Sequence, residues 1–199
     1  NVSQFQISLL TVLRLMNYLN VDSWGSFDMS LIQFLLSDLE RYYFYTGRPD
    51  RKPRKIELWK CFLVPRCLLA TLYRISHSFN KGGWVILGQL TTWFAFFLFG
   101  SEINSRTDIG PGLYFPHPNG IVIGAKSIGC NAVIYHQTTI GAARVEFGME
   151  NRPVLGDNIV IGAGAKILGD FSLPDGCMVK ANSLVTKHNY DKLAKVSAV

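Results

Sequence analysis

Apolar residues recur along this chain with two different periods. From residue 103 onward, large branched or aromatic side chains stand six apart: Ile103, Ile109, Phe115 and Ile121, then Ile128, Ile134 and Ile140, then Leu155, Ile161, Ile167, Leu173, Val179 and Val185. Such a period fits neither a helix nor a simply alternating strand. It is the mark of a parallel β-helix, in which each short strand turns a corner and three strands complete one coil. Glycine follows several of the repeats, as in Ile109-Gly110, Ile128-Gly129, Ile140-Gly141, Leu155-Gly156 and Ile161-Gly162, where the corner geometry asks for it. Small residues such as Ala165, Cys177 and Ser183 sit four positions after a repeat. The phase slips by one residue between Ile121 and Ile128, which reads as a bulge at a corner. Between Ile140 and Leu155 it breaks for longer, and the polar, irregular AARVEFGMENRPV there predicts a loop over 142–153 that projects from the prism.

The first hundred residues follow the other period. Apolar positions in QISLLTVLRLMNYL, MSLIQFLLSDLERYYFY and WKCFLVPRCLLATLYRIS recur at spacings of three and four, which predicts amphipathic helices. Asp22-Ser23 and Ser26 to Met29 read as breaks and caps, and GRPDRKPRK as a proline-broken, charged connector. WVILGQLTTWFAFFLF, residues 84–99, contains Gln89 and two threonines and falls short of the roughly 20 residues of a spanning helix. It reads as a buried or interfacial helix, with the aromatic run from Trp93 to Phe99 in the core. The expected architecture is mainly β: about four helices over 1–100, a β-helix over 101–190 and a tail over 191–199. The helical region would cap one end of the prism, as an oligomer contact or a membrane-facing surface.

Composition sharpens this picture. Hydrophobic residues make up 48% of the chain and charged ones 17%, a surplus of apolar surface that favours an oligomer or a membrane contact. The formal charge of +6 is modest, but five of the eight residues in RPDRKPRK, 48–55, are basic. That run reads as a solvated linker, with a patch for anionic lipid or a phosphorylated substrate as the alternative. No nucleic-acid partner is expected. The four cysteines, at 61, 67, 130 and 177, lack CxxC spacing and read as free thiols in a reducing, cytoplasmic compartment, with the inner face of the membrane as the alternative location. The chain opens at Asn1 without a methionine, so its true beginning is expected upstream.

The candidate chemistry centres on FPHPNGIVIG. His117 lies two residues after the inward Phe115 and between two prolines, which stiffen the chain around it. A rigid, exposed imidazole is what a general base requires. A base works best when an acceptor orients its second nitrogen, and Glu102, just before Ile103, is the nearest outward-facing acid upstream, with Asp108 as competitor. His77 and His188 read as structural. His117 and His136 stand nineteen apart without a third histidine close by, so no metal site is expected.

Four segments together carry a resemblance: PHPNGIVIG, IYHQTTIGA, RPVLGDN and GAGAKILGDF. In this order they resemble the serine acetyltransferase group of hexapeptide acyltransferases, and more closely its exopolysaccharide and colanic-acid branch. The likeness runs from about 66 to 190 and includes LYRISHSF and LFGSEI. It implies a left-handed β-helix and an O-acetyltransferase that uses acetyl-CoA directly, as a trimer or a dimer of trimers. His117 matches the family's catalytic histidine, and Glu102 its orienting aspartate. The resemblance further implies oxyanion donors near Gly141 and Ala142, and a pantetheine path along the coils carrying Ala163 and Ala181. Lys180 and Lys187 would face the phosphates of CoA, or else stand solvated.

Departures bear on the acceptor. The family has an aspartate immediately before its histidine, where this chain has Pro116, and an Arg-His pair before a proline, where it has Asn151-Arg152. Arg144, Glu146, Glu150 and Arg152 in the loop would suit a larger polar acceptor. The family's closing G-x-P-A motif has no counterpart, and KVSAV reads as a truncation point. The expected acceptor is a sugar hydroxyl in capsule, exopolysaccharide or lipopolysaccharide synthesis. The alternatives are L-serine, for cysteine synthesis, and a non-catalytic β-helix scaffold or binding module.

Overall fold

In the computed structural model, which describes residues 25–144 and 148–189, the hexad residues stack into columns along a prism. Three parallel sheets form its walls. Sheet A holds β1 (Glu102–Ile103), β3 (Val122–Ile123), β6 (Thr139–Gly141), β9 (Lys166–Leu168) and β12 (Leu184–Thr186). Sheet B holds β2 (Asp108–Ile109), β4 (Ser127–Ile128), β7 (Val154–Leu155) and β10 (Ser172–Leu173). Sheet C holds β5 (Val133–Ile134), β8 (Val160–Ile161) and β11 (Met178–Val179), with Tyr114 bridging to Val133 below. The chain visits A, B and C in turn, a left-handed parallel β-helix. Ile140 sits over Ile123 and under Ile167, Leu155 over Ile128, and Ile161 over Ile134, all fully or almost fully buried. Stacked branched side chains fill the axis because every strand sends one side chain inward and the next outward.

The slip in phase has a different origin from the one expected. Ile123, not Ile121, pairs with Ile103, so the corner after Phe115 holds two extra residues. The next corner is one residue short, and Ile128 then pairs with Ile109. The extra length falls on the segment carrying His117. Both Ile121 and Ile123 are buried, which hid the insertion in the sequence pattern.

Before the prism come helices α1 (Gly25–Tyr45), α2 (Trp59–Leu63), α3 (Pro65–Lys81) and α4 (Val85–Phe99), with a single 3-10 turn at Lys55–Glu57. QISLLTVLRLMNYL and Asp22-Ser23 lie outside the described residues. Ser26 to Met29 is not a break, since α1 runs through it. WKCFLVPRCLLATLYRIS is two helices, because Pro65 starts a new one and cannot continue the old. Leu69, Leu72, Tyr73 and Ala95 join the core of the first coil and close that end of the prism. Arg74 and Asp38 form a buried ion pair there.

Helix α4 is inverted relative to expectation. Its buried residues are the small ones, Gly88 and Ala95, while Trp93, Phe94 and Phe97 are exposed, Phe97 by 80%. Close packing on α3 explains this: Ser76 Oγ donates to the Gly88 carbonyl at 2.9 Å, and a Cβ at position 88 would meet Ser76 O at 3.0 Å. The aromatic run is therefore not core, and α4 presents a broad apolar face. Among the described residues, no helix is long and apolar enough to cross a membrane.

The basic run is not a free patch either. Arg51 and Arg54 reach the buried Glu57 carboxylate at 3.0 and 3.6 Å, and Lys52 pairs with Glu40. Cys61, Cys67, Cys130 and Cys177 form no disulfide among the described residues. Burial pushes the Cys61 thiol up to about 12, which makes it inert as a nucleophile.

Candidate active site

One edge of the prism, where the chain passes from sheet C to sheet A, carries four of the expected residues, His117, Ala163, Lys180 and Ala181. In successive coils it is built from Pro116 to Gly120, Tyr135 to Thr138, Gly162 to Gly164, and Lys180 to Asn182. Backbone bonds stack these corners: Gln137 N–H donates to Asn119 O at 2.9 Å, Gly164 N–H to His136 O at 3.0 Å, and Asn182 N–H to Ala163 O at 2.8 Å. Each turn is made by one residue at positive φ, namely Gly120, Gln137, Gly164 and Asn182. The stacking is tight, since a Cβ on Gly162 would sit 2.5 Å from the Ala181 nitrogen.

His117 stands in the enlarged first corner. Pro116 before it is buried, while the imidazole is exposed. Asn119 N–H donates to the His117 carbonyl at 2.9 Å, and Gly120 N–H to Phe99 O at 3.1 Å, so both ends of the corner are anchored. The His117 ring lies 5.5 Å from that of His136 at an interplanar angle of 88°, and 6.4 Å from Tyr135. Among the described residues, no hydrogen bond to either ring nitrogen of His117 is present. Sequence reasoning weighed His136 only as a metal ligand and passed over Tyr135. The signal was there: nineteen residues is the offset that pairs Tyr114 with Val133, so His136 falls one coil above His117.

Glu102 opens sheet A beside this edge, its N–H donating to Ile121 O at 2.8 Å. Its carboxylate is exposed and, among the described residues, makes no hydrogen bond or ion pair with His117. Asp108 is on sheet B, 3.8 Å from both His77 Nε2 and Lys81 Nζ, and so belongs to another wall. His77 is half-buried with Nδ1 2.8 Å from Ser105 O, and loss of water holds its pKa below the ordinary histidine value. His188 is exposed near the end of the described residues.

Ala163, Lys180 and Ala181 share the His117 edge, and Lys180 and Lys187 are exposed. Two alanines and a glycine leave that edge low, with Lys180 at its upper end, while Lys187 follows β12 on the far side of sheet A. Gly141, Ala142, Arg144, Asn151 and Arg152 are not on this edge. They lie across sheet A, where the chain turns toward sheet B through the long loop. Gly141 is open, with nothing within 4 Å of a Cβ built on it. Arg144 and Asn151 are exposed. Arg152 is turned inward, Nη1 donating to Gly124 O at 2.8 Å and Nε to Gly148 O at 2.9 Å. It therefore fastens the loop to the wall. Glu146 lies outside the described residues. Among the described residues, no group of three or more His, Cys, Asp or Glu could hold a metal ion.

The hexad-built, left-handed β-helix is the fold of the hexapeptide-repeat acyltransferases. No family model matches the chain. A serine acetyltransferase of Helicobacter pylori is 35% identical over 129 residues, 64% of this chain and 75% of that protein. The chain belongs to the serine acetyltransferase family. The solved serine acetyltransferase of Neisseria gonorrhoeae superposes with a TM-score of 0.68 at 25% identity, over 83% of this chain and 61% of its own. A serine acetyltransferase of Brucella abortus in complex with coenzyme A shares the fold, with a TM-score of 0.66 at 22% identity, over 86% of this chain and 65% of its own. The chain thus spans about three-fifths of the length of the Neisseria structure.

Proposed function

We propose that this protein transfers acetyl from acetyl-CoA to a hydroxyl acceptor, with His117 as general base. The observation that carries the reading is the exposed, unbonded imidazole on a corner lengthened by two residues, one edge away from the open Gly141. A ring nitrogen of His117 takes the hydroxyl proton as the oxygen attacks the thioester carbonyl carbon. Backbone N–H groups near Gly141 and Ala142 would stabilise the developing oxyanion. The C–S bond then breaks, and the CoA sulfur recovers the proton from the imidazolium, leaving an O-acetyl ester and free CoA. Glu102 contributes negative charge that favours the imidazolium as it forms.

The site needs more than one protomer. His117, Ala163, Lys180 and Ala181 occupy one edge of the prism, and Gly141, Ala142, Arg144 and Asn151 the next. In one chain the width of sheet A separates them. Packing the edge of one protomer against the neighbouring edge of another would bring the two sets to one cleft, as in a homotrimer or a dimer of trimers. The apolar face of α4 supplies surface for such an assembly. With three of the five basic residues of 48–55 already paired, a membrane contact is not part of the proposal. A reducing, cytoplasmic setting suits the free thiols and the acetyl-CoA supply.

For the acceptor, the names of the relatives favour L-serine over the sugar expected from the branch-level resemblance, and L-serine becomes the first reading. One set of observations supports a saccharide hydroxyl as the second. Pro116 offers no charge for an ammonium, and the Arg152 guanidinium is spent on two backbone carbonyls instead of facing a carboxylate. A screen of L-serine and of sugars with acetyl-CoA and thiol detection tests both. Turnover of serine with a KM in the range of about 1 μM to 1 mM establishes the first reading; release of CoA with sugars alone establishes the second. No thiol release with any acceptor would overturn the enzymatic reading.

A further inference from the structure

We infer that His136 is a positioning residue for His117, an inference that rests on the acetyl-transfer reading above. A general base acts only if its ring is held in line with the hydroxyl it deprotonates, and a displacement of about 1 Å can cost about 100-fold in rate. The prolines on either side of His117 fix the main chain. They leave χ1 and χ2 of the imidazole free. The usual device for holding a ring is a hydrogen bond to its second nitrogen, and among the described residues none is made: the Glu102 carboxylate does not reach it, and Asp108 is on another wall with His77 and Lys81.

What does touch the ring is the coil above. His136 meets it edge-on, with centroids 5.5 Å apart and planes at 88°, the perpendicular arrangement that aromatic pairs favour. Tyr135 flanks it at 6.4 Å. His136 is itself well placed to be a fixed wall. It lies two residues after β5, its carbonyl accepts the Gly164 N–H at 3.0 Å, and the next residue, Gln137, is locked at φ 56° with its N–H on Asn119 O. Its Nδ1 is buried without a hydrogen-bond partner among the described residues. The ring is therefore set by packing, and it is as a ring, not as a proton carrier, that it serves His117. Orientation by a neighbouring coil also explains why the corner can be two residues longer here without losing control of the side chain it displays.

The test compares His136→Ala, His136→Phe and His136→Gln in the full chain, by kinetics and by NMR of the His117 ring. In His136→Ala and His136→Gln, the contacts between His117 and Tyr135 ring protons should disappear, and kcat should fall about 10- to 100-fold while the KM for acetyl-CoA changes little. His136→Phe keeps a flat ring at the same place, so the ring contacts should persist and kcat should stay within about fivefold of the parent. The inference is overturned if His136→Ala retains the His117–Tyr135 contacts, or if His136→Phe loses as much activity as His136→Ala. Should the parent protein show no acetyl transfer at all, the proposed function fails, yet the NMR comparison still decides whether His136 orients His117.

Discussion

The Arg74 guanidinium grips the Asp38 carboxylate at two points, Nε to Oδ2 at 2.9 Å and Nη2 to Oδ1 at 3.0 Å, with both side chains almost fully buried. Arg74 also donates to the carbonyls of Ile109 and Gly110, and Asp38 accepts the Leu113 N–H at 2.7 Å. One ion pair thus joins α1, α3 and the first coil of the prism. Removing one partner leaves a buried charge, which costs about 3–5 kcal/mol. Arg74→Met should therefore lower the urea midpoint by an amount corresponding to that loss, while an exposed change such as Lys52→Ala stays within about 0.5 kcal/mol.

The base assignment predicts separate effects on rate and stability. His117→Ala should lower kcat about 100- to 10,000-fold with little change in CoA affinity. Because the ring is exposed and makes no hydrogen bond among the described residues, the melting temperature should stay close to that of the parent. A folded His117→Ala protein with full activity would sink the mechanism.

Two glycines on neighbouring edges should behave oppositely. A Cβ on Gly162 would press on the Ala181 backbone at 2.5 Å, and backbone in a stacked coil cannot retreat cheaply. Gly162→Ala should cost about 1–3 kcal/mol or prevent folding. Gly141 has open space around it, so Gly141→Ala should melt like the parent and yet lose acetyl transfer if the thioester is held there. Thermal melts and transfer rates on the same two preparations check both.

A pH effect resides at Glu57. The Tyr43 hydroxyl and the Arg51 guanidinium, followed by Lys60, favour the carboxylate and hold its pKa down to about 2, from 4.5 unperturbed. Its folded pKa is lowered, so the stabilisation is fully present above about 4.5 and is lost as the pH falls toward 2. Glu57→Gln should therefore flatten the pH dependence of the urea midpoint between these limits, which denaturation at pH 7, 4 and 3 would show.

The exposed face of α4 predicts association. Ile86 and Phe97 are 78% and 80% exposed in the single chain, too much apolar surface for a monomer to leave in water. Sedimentation at micromolar concentration should give a species larger than a monomer, and Phe97→Glu should shift it toward the monomer. A monomeric parent protein would count against both the assembly and the shared cleft.

The hexad period and the helices that precede it were legible because each is local. A corner every six residues imposes its own spacing of large, small and glycine residues, whatever the rest of the chain does. His117 was legible for the same reason, since two prolines and an inward Phe115 mark an outward corner without reference to distant residues. Tertiary structure decided the rest. Whether Ile121 or Ile123 pairs with Ile103 depends on the neighbouring coil, and both are equally apolar. The bulky side of α4 faces outward because its other side packs closely on α3, where Ser76 bonds the Gly88 carbonyl and the Thr92 hydroxyl, a fit between two helices that α4's own composition cannot reveal. Arg152 turns to the Gly124 carbonyl, and Arg51 to the buried Glu57, because buried or half-buried polar groups must find partners across the fold. The contact of His136 with His117 follows from stacking, since residues nineteen apart in the chain become neighbours only once a coil has closed beneath them.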